Sequence, residues 1–203
     1  MRKLVIATKN PGKAREVAAL LADLPYEIVS LTDYPDAPEV EETGSTFVEN
    51  AILKAKAYAA FTGELTLADD SGLEVDALDG APGVLSSRFA PTDLERNAKL
   101  LDMMKDIREN KRSARFRCAI AIAEPPSPLP LVRGGTGGRV QTCEGSVEGV
   151  IARECKGTDG FGYDPVFYFP ALGKHMAELT SSEKNAISHR GRALEKAKAL
   201  LIR

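Results

Sequence analysis

Apolar residues along the chain fall into short continuous runs and helically spaced stripes. Lys3-Leu4-Val5-Ile6-Ala7 is an apolar run of strand length, and Val17, Leu20 and Leu21 recur at helical spacing within Ala14 to Ala22. Glu27-Ile28-Val29-Ser30-Leu31 predicts a second strand. Thr46-Phe47-Val48-Glu49 has the S/T-x-x-E capping-box pattern, so a helix starts there and runs to about Phe61, with Gly63 ending it. Leu65-Thr66-Leu67-Ala68 has strand propensity, and Asp70-Ser71-Gly72 turns the chain immediately after it. Ala77 to Ala90 reads as a functional loop, and Asp93 to Ile107 as a helix whose stripe of Leu94, Ala98, Leu101 and Met104 faces the core. Ala114 to Ala123 is a strand, and Glu124 to Gly138, rich in Pro and Gly, is a turn or hairpin tip with no assigned chemistry. Arg139 to Cys143 and Ser146 to Ala152 predict two further strands, antiparallel to a neighbour because the connections are too short for a crossover helix. Val166 to Phe169 is a short strand. The final helical region spans Ser182 to Leu201 and is interrupted at Ser188-His189-Arg190-Gly191, where Ser188 can cap a second helix.

Composition narrows the class. With 203 residues, 43% hydrophobic and 28% charged, the chain suits a globular protein with one large core or two lobes. Its formal charge of -2, from 27 basic and 29 acidic residues, argues against binding to a nucleic-acid polymer or a membrane surface. No apolar run approaches the roughly 18 residues that span a bilayer. Cys118, Cys143 and Cys155 are odd in number and lack C-x-x-C pairing, and the N-terminus runs straight into a strand with no signal peptide. A reducing, cytoplasmic setting is expected. Two histidines, His175 and His189, argue against zinc.

The chemistry centres on Leu67 to Asp76, where an apolar run meets Asp69, Asp70 and Ser71. Adjacent residues of an extended strand point to opposite faces, so one carboxylate can serve a site while the other bonds locally. A hard cation such as Mg²⁺ takes oxygen ligands, typically one or two carboxylates plus substrate phosphates. The plainer alternative is a simple Asp-Asp-Ser-Gly turn. Thr8-Lys9-Asn10-Pro11-Gly12-Lys13 joins the first strand to the first helix, a place where backbone N–H groups and the helix dipole suit phosphate. It is not a Walker loop, since G-x-x-x-x-G-K-[ST] is absent, and it also reads as an ordinary βα turn. Glu41 and Glu42 precede the second helix, on which Asn50 and Lys54 share a face four residues apart; solvated surface charge is the alternative. Gly160-Phe161-Gly162-Tyr163-Asp164 is a loop through which backbone can approach a flat ligand, with an aromatic ring for stacking. His189 and Arg190, beside Lys184, bring hydrogen-bond donors to one place, or else form a surface pair. Together these features describe a site for a nucleoside triphosphate with Mg²⁺.

The chain resembles the Ham1-like inosine triphosphate pyrophosphatases. The matching motifs are ATKNPGK at Ala7 to Lys13, EETGSTFVENAILKA at Glu41 to Ala55, ADDSGLEVDAL at Ala68 to Leu78, GFGYDPVF at Gly160 to Phe167 and SSEKNAISHRGRAL at Ser181 to Leu194. The resemblance implies an α/β fold, a long mixed sheet with flanking helices in two lobes around a cleft, as a single domain over residues 1–203 and a homodimer. It implies Mg²⁺-dependent hydrolysis of ITP, dITP and XTP to the monophosphate and pyrophosphate. Asp70 is similar to the family's general base and metal ligand, and Glu41 to a second metal ligand. Thr8, Lys9, Asn10, Pro11, Gly12 and Lys13 resemble its triphosphate loop, with Lys54 and Ser71 adding contacts. Phe161, Gly162, Tyr163, Asp164, Lys184, His189 and Arg190 resemble its base pocket. A Maf-type nucleotide pyrophosphatase with a different base preference, or a nucleotide-binding module without turnover, are the alternatives.

Overall fold

Strand β1 (Arg2–Ile6) leads through helix α1 (Pro11–Leu21) to β2 (Tyr26–Ser30), and helix α2 (Phe47–Thr62) then leads to β3 (Leu65–Val75). These are followed by α3 (Asp93–Met103), β4 (Ser113–Ala123), β5 (Val140–Ile151), β6 (Phe167–Phe169), β7 (Lys174–His175), α4 (Ser181–Ile187) and α5 (His189–Leu201). This computed structural model describes residues 1–126 and 138–202. The expected tip at 124–138 therefore lies mostly outside the described residues.

The strands form one sheet in the order β2-β1-β3-β4-β5-β6-β7. It is mixed: β1 runs parallel to both β2 and β3, whereas β6 is antiparallel to β5 and to β7. An α/β fold with a long mixed sheet is what the resemblance implied. Contacts divide the chain into two compact units, the first of Met1–Asp70, Ala119–Glu144 and Ala193–Arg203, the second of Ser71–Cys118 and Gly145–Arg192.

In the first unit Leu4, Val5 and Ile6 of β1, Val17 and Leu21 of α1, Ala51, Ala55 and Ala59 of α2 and Leu67 of β3 are buried. Small alanines on one stripe of α2 let the helix sit close. Its ends follow the sequence: the Thr46 hydroxyl accepts from Glu49 N at 3.2 Å, the Glu49 carboxylate accepts from Thr46 N at 3.2 Å, and Gly63 is the C-cap. The second unit has its own core of Leu73, Val75, Leu100, Met104, Phe116, Ile151, Val166, Phe167 and Met176. There the buried Arg112 closes the C-terminal end of α3 by donating to the carbonyls of Met104 and Ile107, and joins it to Ile151 and Ala152.

Four expectations need correction. The acids of β3 do not end a strand: β3 continues through Asp69, Asp70, Ser71 and Gly72 to Val75, so the turn preference of Asp-Ser-Gly is overridden by sheet pairing. Arg139 to Cys143 and Ser146 to Ala152 are one strand, β5, running through the buried Gly145. The first helix begins at Pro11, not Ala14, because Pro is preorganised for the first turn and Asn10 caps it. On α3 the buried positions are Asn97 and Leu100, followed by Met104 at its C-cap, whereas Leu94 is 78% exposed. A polar residue occupies the inward stripe, which displaced the phase read from apolar residues.

Candidate active site

In the first unit the sheet register sets the scene. Leu4 pairs with Leu65 and Ile6 with Leu67, and Ala7 N donates to Leu67 O at 2.8 Å. Thr8 and the loop after β1 are thereby carried to the stretch of β3 where Asp69 and Asp70 lie. The strand order reverses here too, since β2 and β3 flank β1 on opposite sides, and open α/β sheets take ligands at the carboxyl ends of strands at such a point.

The two acids are buried, at 3% and 6% exposure, and meet different helices. Asp69 pairs with Lys13 of α1 at 3.0 Å. Asp70 accepts from Asn50 Nδ2 of α2 at 3.1 Å and stands 3.7 Å from Lys54 Nζ, one turn further along the same helix. Lys54 Nζ also binds the Glu42 carboxylate at 2.5 Å, and Asn50 Oδ1 accepts from Gly44 N at 2.8 Å, so the segment before α2 is tied to the helix face. Lysine and acids are thus drawn together in the interior rather than scattered on a solvated surface.

The contacts join the carboxylates of Asp69, Asp70 and Glu42 to the ammonium groups of Lys13 and Lys54. Burial raises the Asp70 carboxyl above its ordinary range, against the pull of Lys54 and Lys13, and Glu42 adds to the rise. Burial works to lower Lys54, but Asp70, Asp69 and Glu42 outweigh it and hold the ammonium above its usual value. The acid is thus raised chiefly by its burial, and the lysine is held charged by its acidic neighbours.

Sequence reasoning named Lys54, Lys13 and Asp70, and the structure brings them together. It missed Asn50, Asp69 and Glu42 as members, although the i, i+4 spacing of Asn50 and Lys54 was the signal. Glu41 is exposed, and among the described residues its side chain joins none of these ion pairs. The loop from Thr8 to Lys13 also differs from a bare anion cradle. Asn10 Oδ1 accepts from Gly12 N and Lys13 N at 2.9 and 3.1 Å, and Thr8 Oγ1 accepts from Asn10 N at 3.2 Å. Pro11 has no N–H. The amides of the first turn are therefore capped from within, and Thr8, the exposed Lys9 and Lys13 are the side chains left to meet an anion.

The second unit holds the other group of residues. Asp164 is buried and accepts from Lys184 Nζ at 2.6 Å and from Phe161 N at 2.9 Å. Breaking a buried pair of this kind costs about 3 kcal/mol, because it strands a charge. Gly160 turns the chain at φ +82°, and a Cβ there would lie 2.1 Å from Asp164 Oδ2, so glycine alone fits. Lys184 Nζ lies 4.4 Å from the centre of the Phe161 ring and the Arg190 guanidinium carbon 5.6 Å from it, both within cation–π range. Arg190 is 1% exposed and donates to Ser71 Oγ at 2.9 Å. His189 stacks on Phe116 with ring centres 4.8 Å apart. Neither His189 nor Arg190 is a surface pair, since both are buried at the start of α5. Ser188 Oγ accepts from Gly191 N at 3.1 Å, and a Cβ on Gly191 would meet Asn185 O at 1.9 Å, which fixes the close junction of α4 and α5.

Tyr163 is not a stacking ring. It is 4% exposed, its hydroxyl donates to Ser86 O at 2.9 Å, and burial pushes its pKa far above the ordinary value. Phe161 is the half-buried aromatic of the loop.

Among the described residues, no three His, Cys, Asp or Glu side chains converge as a preformed metal cage. The donor set still fits a hard cation that completes its shell with phosphate oxygens and water, because such an ion needs one or two carboxylates and oxygen donors are what this cluster offers. Among the described residues, none of Cys118, Cys143 and Cys155 forms a disulfide. Among the described residues no helix is long and apolar enough to cross a membrane.

Known proteins match along almost the whole chain. A dITP/XTP pyrophosphatase of Desulforamulus reducens is 55% identical, covering 99% of this chain and 96% of the relative. Another from Escherichia coli K12 is 50% identical, covering 96% and 95%. Among solved structures, a HAM1 protein from Coxiella burnetii superposes with a TM-score of 0.86 at 46% identity, over 100% of this chain and 99% of that one. The Staphylococcus aureus Ham1 protein gives 0.82 at 39% identity, over 98% of each. The sequence model of the Ham1 family matches residues 4–200, and the chain belongs to the Ham1 family.

Proposed function

We infer that the chain is a dITP/XTP pyrophosphatase, an enzyme that hydrolyses the non-standard purine triphosphates ITP, dITP and XTP to the monophosphate and pyrophosphate and so removes them from the nucleotide pool. The observation that carries this reading is the buried Asp70, held by Asn50 and Lys54 at the carboxyl end of β1 and beside Lys13, in a chain that matches the Ham1 family from residue 4 to 200.

Asp70 is the general base, and its carboxyl, raised by burial, is better suited to take a proton near neutral pH than an ordinary aspartate. Lys13 and Lys54 stabilise the charge that builds on the pyrophosphate leaving group. Thr8, Lys9 and Asn10 line the approach of the triphosphate. Mg²⁺ would be held by Asp70 and Glu41, the member of the 41–42 pair not tied to Lys54, and when bound it neutralises phosphate charge and polarises the phosphorus that is attacked. Phe161 offers the ring on which the base stacks, and Lys184, His189 and Arg190 supply donors around it. A 6-oxo purine accepts from such donors, whereas the 6-amino group of adenine would leave them unpaired in a dry pocket. Ser71, already bonded to Arg190, holds that guanidinium in place. The reading includes a homodimer and a cytoplasmic address, checked by light scattering and fractionation.

Product analysis with ITP, with and without Mg²⁺, is the test. Metal-dependent IMP and pyrophosphate are expected; IDP and orthophosphate would replace this reading with a terminal phosphatase. Equal turnover of ITP, ATP and GTP would remove the selectivity.

A further inference from the structure

One residue of α3 spends its hydrogen bonds in an unusual way. Asn97 is 4% exposed, and its amide donates to Asp93 O at 2.8 Å and to Gly162 O at 2.9 Å. Its carbonyl oxygen Oδ1 is buried and, among the described residues, has no hydrogen-bond partner. Rotating the amide would aim that oxygen at two carbonyls, so the assignment is fixed by its surroundings. A buried acceptor left unpaired costs about 1–3 kcal/mol, which an apolar residue would avoid. The residue is thus held by its two donors.

Those donors act with a neighbour. Asp93 Oδ2, one turn earlier on α3, accepts from Gly162 N at 2.7 Å. Both polar groups of the Gly162 backbone unit are therefore held by α3, one by Asp93 and one by Asn97. Gly162 sits at φ +64° between Phe161 and Tyr163. The same loop is tied by Tyr163 to Ser86 O and by Asp164 to Lys184 and to Phe161 N, so residues on both sides of Gly162 are held as well. Phe161 itself is held on one side by Asp164, to which its N–H donates at 2.9 Å, and the clamp on Gly162 adds a second anchor directly after it.

We propose that Asp93 and Asn97 form a main-chain clamp on Gly162 that positions the Phe161 ring for purine stacking, so that these two residues of α3 set the affinity and selectivity for the base without touching it. The proposal rests on the base-pocket role given above to Phe161. A ring held in place before the base arrives costs no ordering at binding, and the effect is shared by the ground and transition states.

The test uses the full chain with MgCl₂ and compares wild type with Asn97→Leu, Asp93→Ala and Asp93→Asn. Asn97→Leu keeps the volume and removes the unpaired oxygen; Asp93→Asn keeps an oxygen that can accept from Gly162 N. Hydrogen exchange of the peptides covering 160–164 should rise at least tenfold in Asn97→Leu and Asp93→Ala and return towards wild type in Asp93→Asn. KM for ITP should rise about tenfold in the same two variants, with kcat within about twofold and a smaller ITP-over-ATP ratio. Unchanged exchange in 160–164 would overturn the clamp whatever the substrate. Increased exchange with unchanged KM would overturn its link to the base. A wild type that does not turn over ITP would remove the pyrophosphatase reading and leave the clamp to be judged by exchange alone.

Discussion

Asp70 is a carboxylate that the folded protein holds in a costly state. Burial raises its pKa, so over the interval just above the ordinary carboxylate range the folded chain binds a proton that the unfolded chain has lost. Stability must then fall as pH rises through that interval, because the unfolded state is the one binding fewer protons. Asp70→Asn removes the charge and keeps the shape. We expect turnover of ITP to drop by at least about 10²-fold while the metal-free variant is more stable by about 1 kcal/mol, the usual exchange between activity and stability at a charged site. Thermal melts from pH 4 to 7 check both parts: the wild type should lose stability across the lower half of that range, and the variant should not. Lys54 does not blur this result, since its own raised pKa acts at alkaline pH.

Helix α2 is the element that carries the site, because it presents Asn50 and Lys54 one turn apart to Asp70 and is fixed at its start by the Thr46–Glu49 capping box. Thr46→Ala should cost about 1 kcal/mol in denaturant unfolding and raise KM for ITP, since the frayed turn also carries the segment of Glu42 and Gly44 that Lys54 and Asn50 hold. This helix was legible in the sequence down to its caps, for the reason that capping and C-cap chemistry are local. The centre of β3 was not. Asp69-Asp70-Ser71-Gly72 has the composition of a turn, and what keeps it extended is pairing within the sheet, which no window of sequence contains. The phase of α3 failed on another ground. Asn97 is buried for its donors, and a stripe drawn through apolar residues passes beside it and lands on the exposed Leu94. The residues proposed for the phosphate loop and the base loop were named by motif, but the pairing of Asp69 with Lys13 and of Glu42 with Lys54 is tertiary and became visible with the fold.

For the molecule as a whole, the division of labour runs along the two units: the acids and lysines of the triphosphate reading belong to the first, and Phe161, Lys184, His189 and Arg190 to the second. On the proposed reading Mg²⁺ shares its shell between protein carboxylates and phosphate oxygens, so it would bind best together with the nucleotide. Calorimetric melts should therefore show coupling. Mg²⁺ alone and a non-hydrolysable ITP analogue alone should each raise Tm slightly, and the two together should raise it by more than the sum, reaching about 2.7 kcal/mol at a hundredfold excess over Kd. Additive shifts would mean that metal and nucleotide bind independently.

On the proposed reading, Asp69, Asp70 and Glu42 with Lys13 and Lys54 also bear on the form in which the nucleotide is admitted. A bare triphosphate brings four negative charges to a place already rich in carboxylates, whereas the magnesium complex brings two. The protein thus reads the counter-ion as well as the base. Its rate should follow the concentration of the complex, with uncomplexed ITP neither consumed nor an effective competitor. Varying total ITP at fixed low magnesium checks this: the velocity should level off when the metal is exhausted and should not decline as free ITP accumulates.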